Sequence, residues 1–169
     1  MNAIELLKKN HKMVLALIDE LAHDIKQIEQ TEQGTVDCDR MNMFGEFRDT
    51  LTQHTKLEEQ ILYPELAASS ETRLLVDESY REHKRIREIL AKMENLRKEQ
   101  HCDRWDDKLK ELQQNLKRHV AREEDELFPK AVQLLGEIRL ESLYLKMEQK
   151  AATNLVGTVR FVPPSHALR

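Results

Sequence analysis

Residues 116–129 read LKRHVAREEDELFP, and residues 54–64 read HTKLEEQILYP. Both carry the pattern H-x-x-x-E-E-x-x-L-aromatic-P. In the later copy His119 and Glu123 stand four residues apart, which on an α-helix places one side chain above the other on a single face. Leu109, Leu112, Leu116, Val120 and Leu127 run through the same segment with a period of about 3.6 residues, and His119 and Glu123 fall inside that stripe. A histidine and a carboxylate aimed at a core are costly unless they are paired or bound to a metal. The earlier copy repeats the arrangement with His54 and Glu58. The chain therefore reads as a fold that brings the two copies face to face.

Working outward, apolar residues at helical spacing recur along most of the 169 residues. Ile4, Leu7, His11, Val14, Ile18, Leu21, Ile25 and Ile28 form the seam of a first helix over about residues 3–30. His11 is its only polar member. Phe47, Leu51, His54, Glu58, Ile61 and Leu66 mark a second helix over about 40–68, with Pro64 expected to kink or stop it. Val76, Tyr80, His83, Ile86, Leu90 and Met93 mark a third over about 71–98, with Ser70 as a candidate cap. The fourth runs over about 104–135 behind a cap at Asp103, carries Pro129 late, and stops at Gly136. Leu140, Leu143, Met147 and Ala151 predict a fifth helical segment over 137–154. It either lies against the bundle or makes a homodimer contact. VGTVRFVPPSHALR reads as an extended tail.

Four long helices with short connections predict an all-α, up-down-up-down four-helix bundle over residues 1–135, followed by a C-terminal helix and tail over 136–169. At about 1.5 Å rise per residue, His54 and His83 come out level across the second turn, and His83 and His119 across the third. His11 and His54 differ by some 7 Å across the longer first loop. Four imidazoles, one per helix, thus form a layer together with Glu58 and Glu123. His23, His101 and His166 fall outside it.

Composition fits this class. Charged residues make up 34% and hydrophobic residues 40%, with only four Gly and four Pro, a balance typical of soluble helical proteins. The net charge of −4 gives no electrostatic reason to bind nucleic acid. No apolar run approaches the roughly 20 residues of a membrane helix, and the N-terminus lacks the apolar stretch of a signal peptide. A cytoplasmic protein is the expectation. Cys38 and Cys102 make no zinc pattern and are placed in interhelix loops as free thiols.

Imidazole plus carboxylate, without thiolate, suits iron, manganese or zinc. One zinc takes only about four ligands, so six donors imply two metals with bridging glutamates. Two six-coordinate ions offer about twelve positions, of which about two stay open after four histidines, two bridging carboxylates and a bridging oxide or hydroxide are counted. Small exogenous ligands can bind there. Tyr80, one turn before His83, is a candidate donor to a bound oxygen species or a ligand of the centre. Glu59 and Glu124 follow the stripe glutamates and are expected in solvent or paired with Lys and Arg. Tyr63 and Phe128 hold equivalent repeat positions and are expected to pack at the bundle end.

The ordered set H, H-x-x-x-E, H, H-x-x-x-E resembles the hemerythrin-like HHE cation-binding family. It stands here in HKMVLALIDEL at His11, HTKLEEQILYPEL at His54, EHKRIREIL at His83 and HVAREEDELFP at His119. The resemblance covers about residues 1–135. It implies a bundle around a non-haem di-iron centre with an oxide or hydroxide bridge, its ligands His11, His54, Glu58, His83, His119 and Glu123. The oxygen-carrying hemerythrins have H-x-x-x-H on the third helix. Here Arg87 follows His83 at that distance, and the fourth helix ends its motif in Glu rather than Asp. The pattern is more similar to members associated with peroxide or nitric oxide chemistry, with oxygen or redox sensing, or with iron handling and repair of damaged iron centres. The function expected is binding or reduction of a small oxidant (dioxygen, hydrogen peroxide or nitric oxide). The alternatives are a non-catalytic di-iron sensor or iron donor, and a structural metal-bound bundle for protein interaction.

Overall fold

The computed structural model describes residues 1–28, 38–98 and 102–158. The described residues are helical apart from the N-terminal pair and one turn. α1 is Ala3–Ile28. α2 spans 38–67, as an α-helical stretch Cys38–Leu57, a π turn Glu58–Leu62 and a last turn Tyr63–Ala67. α3 is Arg73–Lys98. α4 spans 102–135, with a second π turn at Glu123–Leu127. The final stretch Phe128–Thr158 breaks at Gly136 (φ 69°, ψ 169°), so α5 is 137–158. Gly136 takes a conformation essentially reserved for glycine, and it ends α4 where the sequence predicts.

Each helix exists because one face is apolar. Val14, Ile18 and Leu21 of α1 pack with Phe47 and Leu51 of α2, Ile86 and Met93 of α3, and Leu109, Leu112 and Leu116 of α4 in one cluster. A second cluster lies towards the other end. There Ile4 and Leu7, Leu62 and Leu66, Val76, and Leu127 and Phe128 meet Leu140, Leu143 and Met147 of α5. α5 thus buries its stripe within the chain, beside the start of α1, and Arg139 ties it to Glu65 of α2 at 2.6 Å. Ile138 and Leu145 on its other face are exposed. Between the two clusters lies a buried polar layer.

Details depart from expectation for physical reasons. Pro64 and Pro129 have no N–H to give the carbonyl four residues back. The helices meet them with π turns rather than stops, Tyr63 N–H bonding Glu58 O and Phe128 N–H bonding Glu123 O. Ser70 is not the cap of α3. Ser69 Oγ accepts from Glu71 N at 3.3 Å, while buried Thr72 starts the helix ladder by accepting from Val76 N at 3.0 Å and donates its hydroxyl to Leu66 O. Cys38 and Cys102 are not in loops but at the first residues of α2 and α4. The side chains of Ile25 and Ile28, together with His101, His166 and residues 159–169 of the predicted tail, lie outside the described residues; Val156, Gly157 and Thr158, expected in the extended tail, instead continue α5 as helix.

Candidate metal centre

His11 comes from α1, His54 and Glu58 from α2, His83 from α3, and His119 and Glu123 from α4. All six are buried, none more than 2% exposed. The rings form the expected layer: centroids lie 4.7 Å apart for His11 and His54, 6.5 Å for His11 and His119, and 4.6 Å for His83 and His119. His23 is exposed on α1, away from the layer.

The donor atoms converge. Glu58 Oε1 is 3.1 Å from His54 Nε2 and 3.6 Å from His11 Nε2, and Glu58 Oε2 is 3.3 Å from His83 Nε2. Glu123 Oε2 is 3.2 Å from His11 Nε2 and 3.4 Å from His119 Nε2. Yet His11 Nε2, His54 Nε2, Glu58 Oε1 and Glu123 Oε2 are buried without an aligned hydrogen bond. They are close to one another but aimed past one another. Donors bound to one ion at about 2.0–2.2 Å stand roughly 3.0–3.5 Å apart, so the spacing and the unpaired lone pairs both fit metal ligation. Two overlapping groups meet this test: His11, His54, Glu58 and Glu123, and Glu58, His83 and His119.

Charge follows from the same contacts. Burial alone lowers the pKa of His11 and of His83. Glu123 and Glu58 outweigh it at His11, raising it to about 10, and Glu58 and Glu59 outweigh it at His83, raising it to about 9. Burial pushes Glu58 up, but His54, His11 and His83 together hold it well below the usual carboxylate range. Without a metal, His11 and His83 stand as imidazolium groups beside the Glu58 carboxylate.

The outer contacts correct several expectations. Tyr80 is not turned to the centre: it is 37% exposed, and its hydroxyl donates to the carbonyl of Glu59 at 3.2 Å. Tyr63 takes that place. It is fully buried and donates to Glu123 Oε1 at 2.6 Å, with its hydroxyl 3.4 Å from His83 Nε2. Burial, then Glu58 and Glu123, raise its pKa well above the usual value, so it keeps its proton. The π turn explains the miss. One extra residue per turn carries position 63, rather than 61, inward beside 62. At the matching position of α4, Phe128 stacks on the His11 ring at 5.4 Å.

Glu59 and Glu124 are not merely solvent-facing. His83 Nδ1 is 2.8 Å from Glu59 Oε1, His11 Nδ1 is 2.9 Å from Glu124 Oε1, and His119 Nδ1 is 2.8 Å from Glu82 Oε2. Arg87 holds Glu59 at 2.7 Å, as the expected Arg pairing, and Arg122 holds Glu82 at 2.5 Å. Glu82 and Arg122 also line a groove of about 500 Å³ between α3 and α4. A signal was present in the sequence: a glutamate directly beside three of the ligand residues, where ligating imidazoles need an acceptor for the second ring N–H.

The model of the hemerythrin HHE cation binding domain matches residues 2–131. The chain belongs to this family. A solved structure of a hemerythrin HHE cation binding domain-containing protein from Mycobacterium kansasii is similar over 94% of each chain, with a TM-score of 0.70 and 23% identity. That likeness reports the shared fold. A comparison with curated proteins gives no match. The buried His/Glu layer is therefore the candidate metal centre of an HHE domain. Among the described residues no helix is long and apolar enough to cross a membrane.

Proposed function

We propose that His11, His54, Glu58, His83, His119 and Glu123 hold two iron ions, and that the protein binds or reduces a small oxidant there: dioxygen, hydrogen peroxide or nitric oxide. Residues 1–135 form the metal-holding unit in this reading. Glu58 carries it. Its two oxygens face different imidazoles, His54 at 3.1 Å and His83 at 3.3 Å, so one carboxylate serves both groups of donors. A thiolate-free set of imidazoles and carboxylates supports iron, though the same donor chemistry suits manganese and zinc.

A bound iron pair supplies one-electron steps and open coordination positions. The chain supplies the rest. The two apolar clusters on either side of the layer exclude water, which strengthens every charge interaction within it. Glu59, Glu82 and Glu124 fix the rings of His83, His119 and His11 with Nε2 turned inward. Tyr63 keeps its proton on the hydroxyl and presents it at the edge of the centre, against Glu123.

The test mixes anaerobically reduced, iron-loaded protein with hydrogen peroxide or nitric oxide. Consumption well above that by the same concentration of free ferrous iron is the expected result. Consumption no faster than free iron, with no change in the visible spectrum on adding the oxidant, overturns the oxidant reading. It would leave iron donation, which one observation favours: His54 Nδ1 is buried and has no hydrogen-bond partner among the described residues, so this ligand is weakly held.

A further inference from the structure

We propose that the two metal positions differ in lability: the His83–His119 position retains its ion, and the His11–His54 position exchanges it. This rests on the two-metal reading above. The asymmetry lies in what holds each imidazole from behind. His83 Nδ1 meets Glu59 at 2.8 Å, and Arg87 pins that carboxylate at 2.7 Å. His119 Nδ1 meets Glu82 at 2.8 Å, and Arg122 Nη2 stands 2.5 Å from the same carboxylate oxygen as an ion pair, without the hydrogen-bond alignment that Arg87 has on Glu59. Both rings of this pair are therefore fixed by a carboxylate that is itself fixed by a guanidinium. The other pair is built differently. His11 Nδ1 meets Glu124 at 2.9 Å, but that side chain is 32% exposed and has no cationic partner among the described residues. His54 Nδ1 has no acceptor among them at all.

An outer acceptor sets the tautomer of a ligating imidazole, fixes its orientation and raises its basicity, and its loss costs about 10–100-fold in affinity. A buried ring N–H with no acceptor also pays a desolvation penalty whenever Nδ1 carries the proton. Donor number does not offset this. The His11–His54 group has four donor residues against three, but the extra one, Glu123, places Oε2 at 3.2 Å from His11 and 3.4 Å from His119. It is shared almost evenly. Orientation decides, and it favours the pair clamped by Arg87 and Arg122. These two arginines, with Glu59 and Glu82, are positioning residues that act through the histidines.

The full-length chain, loaded anaerobically with ferrous iron, is challenged with excess ferrous chelator, and release is followed by the absorbance of the chelate. Two phases of equal amplitude are expected, at least about tenfold apart in rate. His54→Ala should lose the fast phase and keep one slowly released ion. Arg87→Met changes a half-exposed side chain and Arg122→Met a mostly buried one that keeps its apolar stem, and each should speed the slow phase by about tenfold or more while leaving the fast one alone. Two ions released in a single phase, or arginine variants that speed the fast phase instead, overturn the inference and leave the two-metal reading standing. A chain that takes up fewer than two ions overturns both.

Discussion

At the scale of single residues, Tyr63 and the ligand histidines carry the sharpest expectations. Tyr63→Phe deletes the donor to Glu123 Oε1 (2.6 Å) and keeps the ring. Leaving a buried carboxylate oxygen without its donor costs about 1–3 kcal/mol, so thermal unfolding of the variant should shift down while metal content is kept. An unchanged melting temperature would mean that the hydroxyl does not hold the carboxylate. The histidines predict a pH effect on chelator-stripped protein. His11 and His83 have folded pKa values of about 10 and about 9, above the unfolded value of about 6.5. Groups raised on folding stabilise fully below the unfolded pKa and lose that contribution as pH rises through the folded one. The melting temperature of stripped protein should therefore fall between about pH 7 and pH 10, and metal uptake near pH 7.5 should release protons, read by calorimetry in buffers of different ionisation enthalpy. A flat or rising profile contradicts the assignment. The six inward donors were legible in the sequence because an imidazole or carboxylate inside an apolar stripe is anomalous. Tyr63 was not, because its place depends on a π turn that a regular 3.6-residue period does not contain. The glutamates beside the ligands were visible, but which histidine each serves was not, because Glu59, Glu82 and Glu124 all reach a histidine on another helix and only packing brings them together.

At the scale of elements, the π turns and Gly136 shape the ends of α2 and α4. Gly136 sits at φ 69° and ψ 169°, with nothing within 4 Å of a Cβ placed there. Gly136→Ala thus meets no clash and suffers from backbone strain alone, about 1–3 kcal/mol. The result should be a lower unfolding midpoint in denaturant with an unchanged slope; an unchanged midpoint would show that the α4–α5 break tolerates a side chain. Gly136 as a stop was readable because only glycine takes this conformation cheaply. The prolines were readable as interruptions, but not as π turns. A missing N–H says that the ladder must change, not whether it ends or widens, and here the flanking apolar residues keep the helix going. Thr72 rather than Ser70 immediately precedes α3, and its hydroxyl donates to Leu66 O at the end of α2.

At the scale of the whole molecule, the polar layer lies between two apolar clusters that each draw on α1, α2, α3 and α4. Stripping the metal should leave the helical circular dichroism in place, because neither cluster depends on the layer. The melting temperature should fall: each ion at 100 times its dissociation constant stabilises a fold by about 2.7 kcal/mol, so two ions contribute about 5.4 kcal/mol, or about 10–20 °C for a domain of this size. Loss of helicity on stripping would show instead that the layer organises the bundle. The level matching of His54, His83 and His119 was readable from helix rise alone, whereas His11 needed the structure, since a long first loop leaves its register open by several ångströms. The docking of α5 was open for the same kind of reason: its stripe of Leu140, Leu143 and Met147 fixes that it is buried, not against what. The most direct test of the central claim is the metal content of the protein purified from iron-replete cells, for the native chain and for Glu58→Ala, with a visible spectrum before and after peroxide. The account predicts two irons per chain and a spectrum that responds to peroxide, both lost in the variant. One zinc or no metal in the native chain, or two irons retained without Glu58, would contradict it.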